Sequence, residues 1–170
     1  MKEIVRERSF TWDPPTATAK AIFGRDPVAW LHEMQEGAIP QPPAAHLMGF
    51  EIVHAEPGRV AFSMRAEEWM SNPTGVIHGG LTSTLLDTVL TLAVQTKLPP
   101  ERYCTTLDLN VHFVRPILPG GQLVTGEGVA VHVGNTIGTA EGRAYDASGK
   151  LVAHATATLA ILDANGKASA

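Results

Sequence analysis

The sequence predicts an α+β domain in which one long central helix is wrapped by a curved antiparallel sheet, with an N-terminal helical extension. Three observations carry this. From Trp69 to Thr96 the chain holds one formal charge, Asp87, and residues 79–96 are the long helix candidate in the middle of the chain. Four strand-like segments then follow one another, separated by turn residues. One face of each of the last three is built from small residues: Gly126, Gly128 and Ala130, then Gly138, Ala140, Gly142 and Ala144, then Ala153, Ala155 and Ala157. Glycine weakens a strand and marks the close approach of another backbone, so three such faces imply a sheet curling around something bulky. The helix offers the matching side, with Leu81, Leu85, Val89 and Leu92 at helical spacing.

In chain order, residues 1–20 read as a polar lead-in with Pro14 and Pro15. Residues 26–35 read as a helix: Asp26 suits the cap, Pro27 the first helical position, and Val28, Leu31 and Met34 share a face. Gly37 and the proline-rich run at 39–43 end it, and a helical turn over 44–48 is closed by Gly49. Residues 50–55 and 59–64 flank Glu56-Pro57-Gly58 and read as a hairpin. The later strands are expected at 104–114, 123–133, 135–145 and 151–162, with turns at Pro119-Gly120-Gly121, Gly134-Asn135 and Asp146 to Gly149. The first of these alternates, placing Leu107, Leu109, Val111 and Phe113 on one face and Thr106, Asp108, Asn110 and His112 on the other. The expected organisation is an extension with a short helix at 1–44, the main domain at 45–162 and a frayed tail at 163–170.

The chain has 170 residues, 44% hydrophobic and 18% charged, with a net charge of −4. That is long enough to bury a core without staples, and too acidic for nucleic acid or an anionic membrane as main partner. The single cysteine, Cys104, excludes an internal disulfide framework and a cysteine-rich zinc site. The histidines are scattered, so no metal is expected. Gly126-Glu127-Gly128 lies inside a strand with no helix after it, so it is not a dinucleotide loop, and no Gly-x-Ser-x-Gly elbow is present. The opening MKEIVRERSF lacks the apolar core of a signal peptide, and no 18-residue apolar run occurs, so the cytoplasm is the expected location.

The informative segment runs from Ser71 to Asp87. Gly79 and Gly80 fall where the helix begins, where free backbone N–H groups can polarise a carbonyl oxygen. Asp87 lies mid-helix on a polar stripe with Gly80, Thr84, Thr91 and Gln95. Aspartate is a poor helix-interior residue, so this carboxylate is a candidate nucleophile or general base, unless it merely bonds Thr84 or Thr91 or faces solvent. Asp87 is eight residues beyond Gly79, which is ~12 Å at ~1.5 Å per residue. Both groups must reach one carbonyl, so two antiparallel copies of the helix in a two-fold dimer would share each site.

The run N-P-T-G-V-I-H-G-G-L-T-S-T-L-L-D from Asn72 to Asp87 resembles the signature of the hotdog-fold acyl-CoA thioesterases of the phenylacetate-pathway, PaaI-like type. The stretch T-L-D-L-N-V-H-F-V-R-P from Thr106 to Pro116 resembles that family's next strand, and the likeness covers about residues 45–162. It implies a hotdog fold, doubled across a homodimer with shared active sites, with a dimer of dimers as a further assembly open to it. It implies an acyl-CoA substrate, thioester hydrolysis and no cofactor. Asp87 matches the catalytic carboxylate, and Gly79 the residue whose N–H polarises the thioester carbonyl. Asn72 matches a residue that positions water or substrate, and His78 the histidine of the His-Gly-Gly element, shaping the loop or assisting near the sulfur. Thr106 stands where related enzymes carry a serine hydroxyl that helps hold water, and Thr91 can serve similarly. Gly80 and Arg115 are further substrate-binding candidates; Arg115 and Arg143 suit coenzyme A phosphates. A non-catalytic acyl-CoA binder and a hotdog enoyl-CoA hydratase or dehydratase are the competing readings.

Overall fold

The computed structural model describes residues 5–163. Among them the chain forms helices α1 (Pro15–Ile22), α2 (Pro27–Gln35), α3 (Pro43–Met48) and α4 (Gly79–Gln95), and a 3-10 turn at Glu68–Met70. The strands are β1 (Glu51–Glu56), β2 (Arg59–Arg65), β3 (Arg102–Phe113), β4 (Leu123–Val133), β5 (Ile137–Tyr145) and β6 (Leu151–Asp163). They make one antiparallel sheet in the order β1-β2-β4-β5-β6-β3, so β3 is an edge strand. The long helix and curved sheet are the hotdog arrangement expected from the sequence.

The extension holds two helices where one short helix was expected. Residues expected to be a polar lead-in form α1, with Pro14 at its cap and Pro15 at its first position, which proline suits. Asp26 caps α2 by accepting from the Ala29 N–H at 2.8 Å. Thr18 donates to the Pro40 carbonyl, His32 to that of Ala55 and Gln35 to that of Ile52. These bonds tie α1 to the loop after α2, and α2 to β1. The expected tail at 163–170 lies outside the described residues apart from Asp163, which ends β6.

The small-residue faces lie side by side. Gly126 pairs with Ala144, Gly128 with Gly142 and Ala130 with Ala140. Across the next ladder Gly142 meets Ala155 and Ala140 meets Ala157. α4 lies directly on this surface. A Cβ on Gly128 would fall on the Val89 carbonyl oxygen, and one on Gly138 would come within 2.6 Å of Val94. The buried side of α4 is therefore wider than the expected stripe. Leu85, Leu86, Val89, Leu90, Ala93 and Val94 are fully buried, while Leu81 and Leu92 are only half-buried. An almost uncharged helix pressed on a concave sheet buries more than one row of side chains.

Strand β3 departs from simple alternation. Its pairing with β6 slips between Thr106 and Asp108, and Leu107 bulges out 61% exposed. One extra residue moves the face by one position. Thr106 opposes Leu159, whose side chain is fully buried beneath α4, and so joins Leu109 and Val111 on the helix side. The expectation that Thr106 shares a face with Asp108, Asn110 and His112 is thereby corrected.

Candidate active site

The bulge brings a hydroxyl to the Asp87 carboxylate. Thr106 Oγ1 donates to Asp87 Oδ1 at 2.7 Å. Thr91 Oγ1, one turn further along α4, lies 3.1 Å from Thr106 Oγ1. An ionised carboxylate only accepts, so Thr106 spends its proton on Asp87 and Thr91 donates to Thr106. Neither Thr84 nor Thr91 bonds Asp87 directly: Thr84 turns back to the Gly80 carbonyl, as helix threonines do. Asp87 is half-buried, and its Oδ2 meets no donor among the described residues.

Behind this pair, Gln95 locks α4 to the start of β3. Its Nε2 donates to the Arg102 carbonyl and its Oε1 accepts from the Cys104 N–H, both at 3.0 Å. Cys104 is buried, and burial pushes its thiol up to about 12 by disfavouring the thiolate.

A second group of residues gathers at the N-terminus of α4. The loop from Ser71 to Ile77 is closed by Asn72, whose Oδ1 accepts from the Thr74 N–H at 2.9 Å, the Thr74 hydroxyl at 2.7 Å and the Val76 N–H at 3.3 Å. Asn72 therefore shapes the loop with its oxygen and has only its NH2 left to offer outward. His78 is the N-cap residue of α4, and its Nδ1 accepts from the Gly80 N–H at 3.0 Å. That bond leaves the proton of a neutral ring on Nε2. It also occupies the Gly80 N–H, whereas the Gly79 N–H meets no acceptor among the described residues. The ring of Phe113 packs against Gly79, where a Cβ would come within 3.0 Å of Cζ.

Asn72, Gly79, Phe113 and Arg115 line one cleft of about 360 Å³. Arg115 stands exposed at its rim and donates to the Leu151 carbonyl at 2.8 Å. Arg143 does not join it, because it sits opposite Glu127 and His154 on the solvent face of the sheet. Within one chain, then, the candidates fall into two groups: Asp87, Thr106 and Thr91 on the flank of α4, and Asn72, His78, Gly79, Gly80 and Arg115 around its N-terminus. Leu86, Leu90 and Val94, which flank the polar stripe in the sequence, lie in the core, Leu90 against Gly142 and Val94 against Gly138. Sequence reasoning missed the contact between Phe113 and Gly79, though Phe113 ends the alternating row with Leu109 and Val111. No group of three or more potential metal-ligating side chains occurs among the described residues.

Comparison with known proteins extends the picture. A model described as the thioesterase superfamily matches residues 74–153, which contain the His-Gly-Gly element, Asp87 and Thr106. Acyl-coenzyme A thioesterase 13 from Homo sapiens is 35% identical over 108 residues, covering 60% of this chain and 72% of the relative. The crystal structure of a phenylacetic acid degradation-related protein from Ralstonia eutropha JMP134 has a TM-score of 0.70 and 31% identity, over 77% of this chain and 98% of that one. The E. coli PaaI protein shares the fold at a TM-score of 0.70 and 22% identity, over 81% of this chain and 95% of its own.

Proposed function

Because the chain belongs to the thioesterase superfamily, we propose that it hydrolyses the thioester of an acyl-coenzyme A to a free acid and coenzyme A. The observation that carries this reading is the Asp87 carboxylate, held through one oxygen by Thr106 and, among the described residues, free at the other, on an otherwise uncharged helix.

In this mechanism Asp87 Oδ2 takes a proton from water as the water oxygen attacks the thioester carbon. Attack by Asp87 itself, through a mixed anhydride, uses the same residue. The hydroxyl chain from Thr91 through Thr106 fixes the carboxylate orientation, so that Oδ2 faces the attacking water. The developing oxyanion is met by the Gly79 N–H, which carries the partial positive charge of a helix N-terminus. The C–S bond then breaks, and the proton held by Asp87 passes to the departing thiolate. Asn72 offers its NH2 to water or substrate, while His78, the cap of α4, holds the loop in shape and can turn Nε2–H toward the sulfur. Gly80 gives the ligand close access to the backbone, and Arg115 at the cleft rim suits a phosphate of coenzyme A.

Gly79 and Asp87 are ~12 Å apart along one helix. Each complete site therefore takes Gly79 from one copy of the chain and Asp87 from another. A homodimer is the smallest assembly that achieves this, and pairing of dimers would leave it unchanged. Among the described residues no helix is long and apolar enough to cross a membrane. The single free cysteine suits a reducing compartment such as the cytoplasm. The chemistry asks for no cofactor.

The hydratase reading needs a histidine acting with a carboxylate. His78 Nδ1 is committed to the Gly80 N–H, and no carboxylate bonds its ring among the described residues. A thiol-release assay against a panel of acyl-CoA esters tests the proposal: catalytic release supports it, and tight binding without release establishes the non-catalytic reading instead.

A further inference from the structure

A second cavity, of about 230 Å³, lies between the N-terminal extension and the flank of α4. One wall is Ile22 and Phe23 at the end of α1 and Trp30 of α2. The other is Thr91 and Leu92 of α4 with Tyr103 of β3. Phe23 meets Tyr103 edge to face at 6.0 Å, closing the aromatic side. Thr91 belongs both to this cavity and to the hydroxyl chain that ends on Asp87. The cavity thus opens one turn, ~6 Å, beyond the carboxylate.

The geometry points to this cavity as the seat of the acyl group, with α1 and α2 acting as the chain-length and charge selector of the enzyme. This rests on the reading of Asp87 as the hydrolytic carboxylate. A thioester carbonyl placed at Asp87 has two arms. The polar coenzyme A arm suits the cleft with Arg115, and the acyl arm suits the apolar cavity beside Thr91. The two cationic side chains in the cavity lining are already engaged. Arg25 pairs with Glu33 and donates to the Ala21 carbonyl, and Arg102 pairs with Asp163. A carboxylate at the far end of an acyl chain would be desolvated there without a dedicated partner. The favoured group is neutral and apolar. A cavity of about 150 Å³ accepts a benzene ring, so this one accommodates about six to eight carbons. The residues of α1 and α2 lie outside the 74–153 segment matched by the thioesterase superfamily.

The test compares hexanoyl-CoA, adipoyl-CoA and acetyl-CoA in the thiol-release assay, using the full chain. The parent is expected to favour hexanoyl-CoA over both others by about tenfold or more in kcat/KM, the scale set by filling a hydrophobic pocket. Ile22→Trp fills the cavity and should lower the hexanoyl-to-acetyl ratio by about tenfold. Phe23→Ala, at a half-exposed position that is safe for folding, should lower the same ratio several-fold by removing one wall. If either variant melts like the parent and keeps the parent's ratio, the inference falls while the proposed function stands. Equal turnover of adipoyl-CoA and hexanoyl-CoA overturns it as well. If the parent releases thiol from none of the three but does so from another ester of the wider panel, the inference falls and the proposed function stands; release from no acyl-CoA ester overturns both.

Discussion

Thr106 on strand β3 donates a 2.7 Å hydrogen bond to Asp87 on helix α4, and the bulge at Leu107 turns its hydroxyl toward the helix. The catalytic proposal stands on this contact, and it sets the first expectations.

Asp87→Asn keeps the shape and an acceptor for Thr106 but removes the proposed base. Turnover should fall ~100-fold or more with little change in melting temperature. Steady-state kinetics on the preferred acyl-CoA, with a thermal melt alongside, checks this. Turnover at the parent rate would remove Asp87 from the mechanism.

Thr106→Ser retains the hydroxyl, whereas Thr106→Ala does not. The serine variant should stay within a few-fold of the parent. The alanine variant should lose roughly tenfold or more in kcat, because an unanchored carboxylate presents its oxygen less often. A loss confined to KM in the alanine variant would count against a positioning role.

Gly79→Pro should leave α4 formed, since proline suits the first helical position, yet it deletes the proposed oxyanion donor. Mixing this variant with Asp87→Asn makes the sharper experiment. In a two-fold dimer with shared sites, each mixed pair combines the intact Gly79 of one chain with the intact Asp87 of the other. Every mixed dimer then regains about half of the parent's sites. Two inactive parents that stay inactive after subunit exchange would refute site sharing.

Gly128→Ala places a methyl group on the Val89 carbonyl oxygen, where backbone rather than a flexible side chain must move. The expected cost is about 2–3 kcal/mol, read by denaturant unfolding. Gly121→Ala meets no atom within 4 Å but has a φ of +78°, so its cost is conformational and smaller, about 1 kcal/mol. Equal costs at the two positions would contradict the close approach of helix and sheet.

Cys104 supplies a pH dependence. Burial raises its thiol from 9.0 to about 12, so the folded chain holds this proton more tightly than the unfolded chain. The contribution is fully present below pH 9.0 and declines as pH rises from there toward 12. Relative to the parent, Cys104→Ala should show a shallower loss of stability across that window, measured by urea unfolding at several pH values. The native thiol should also react with a disulfide reagent far more slowly than the unfolded one.

Much of this molecule is legible in its residues. The long uncharged helix, its lone carboxylate, the glycine and alanine faces and the strand-turn spacing all lie within local stretches, where periodicity and composition speak directly. Asn72, His78, Gly79 and Asp87 stand out because their side chains or their place at a helix start are chemically conspicuous. The extension was less legible. Its additional helix, α1, lies in what reads as a polar lead-in, where Pro14 and Pro15 serve as a helix start.

What the tertiary structure decided are the relations between segments distant in the chain. The register of β3 against β6 creates the bulge, and the bulge carries Thr106 from the solvent face to Asp87, 19 residues away. The packing of α4 into a concave sheet buries Leu86, Leu90 and Val94, and an apolar cavity lies beside Thr91 against α1 and α2. The sequence determined which groups are present and which elements carry them. Their meeting depends on pairing and burial energies summed over many non-local contacts, which no single stretch of residues expresses.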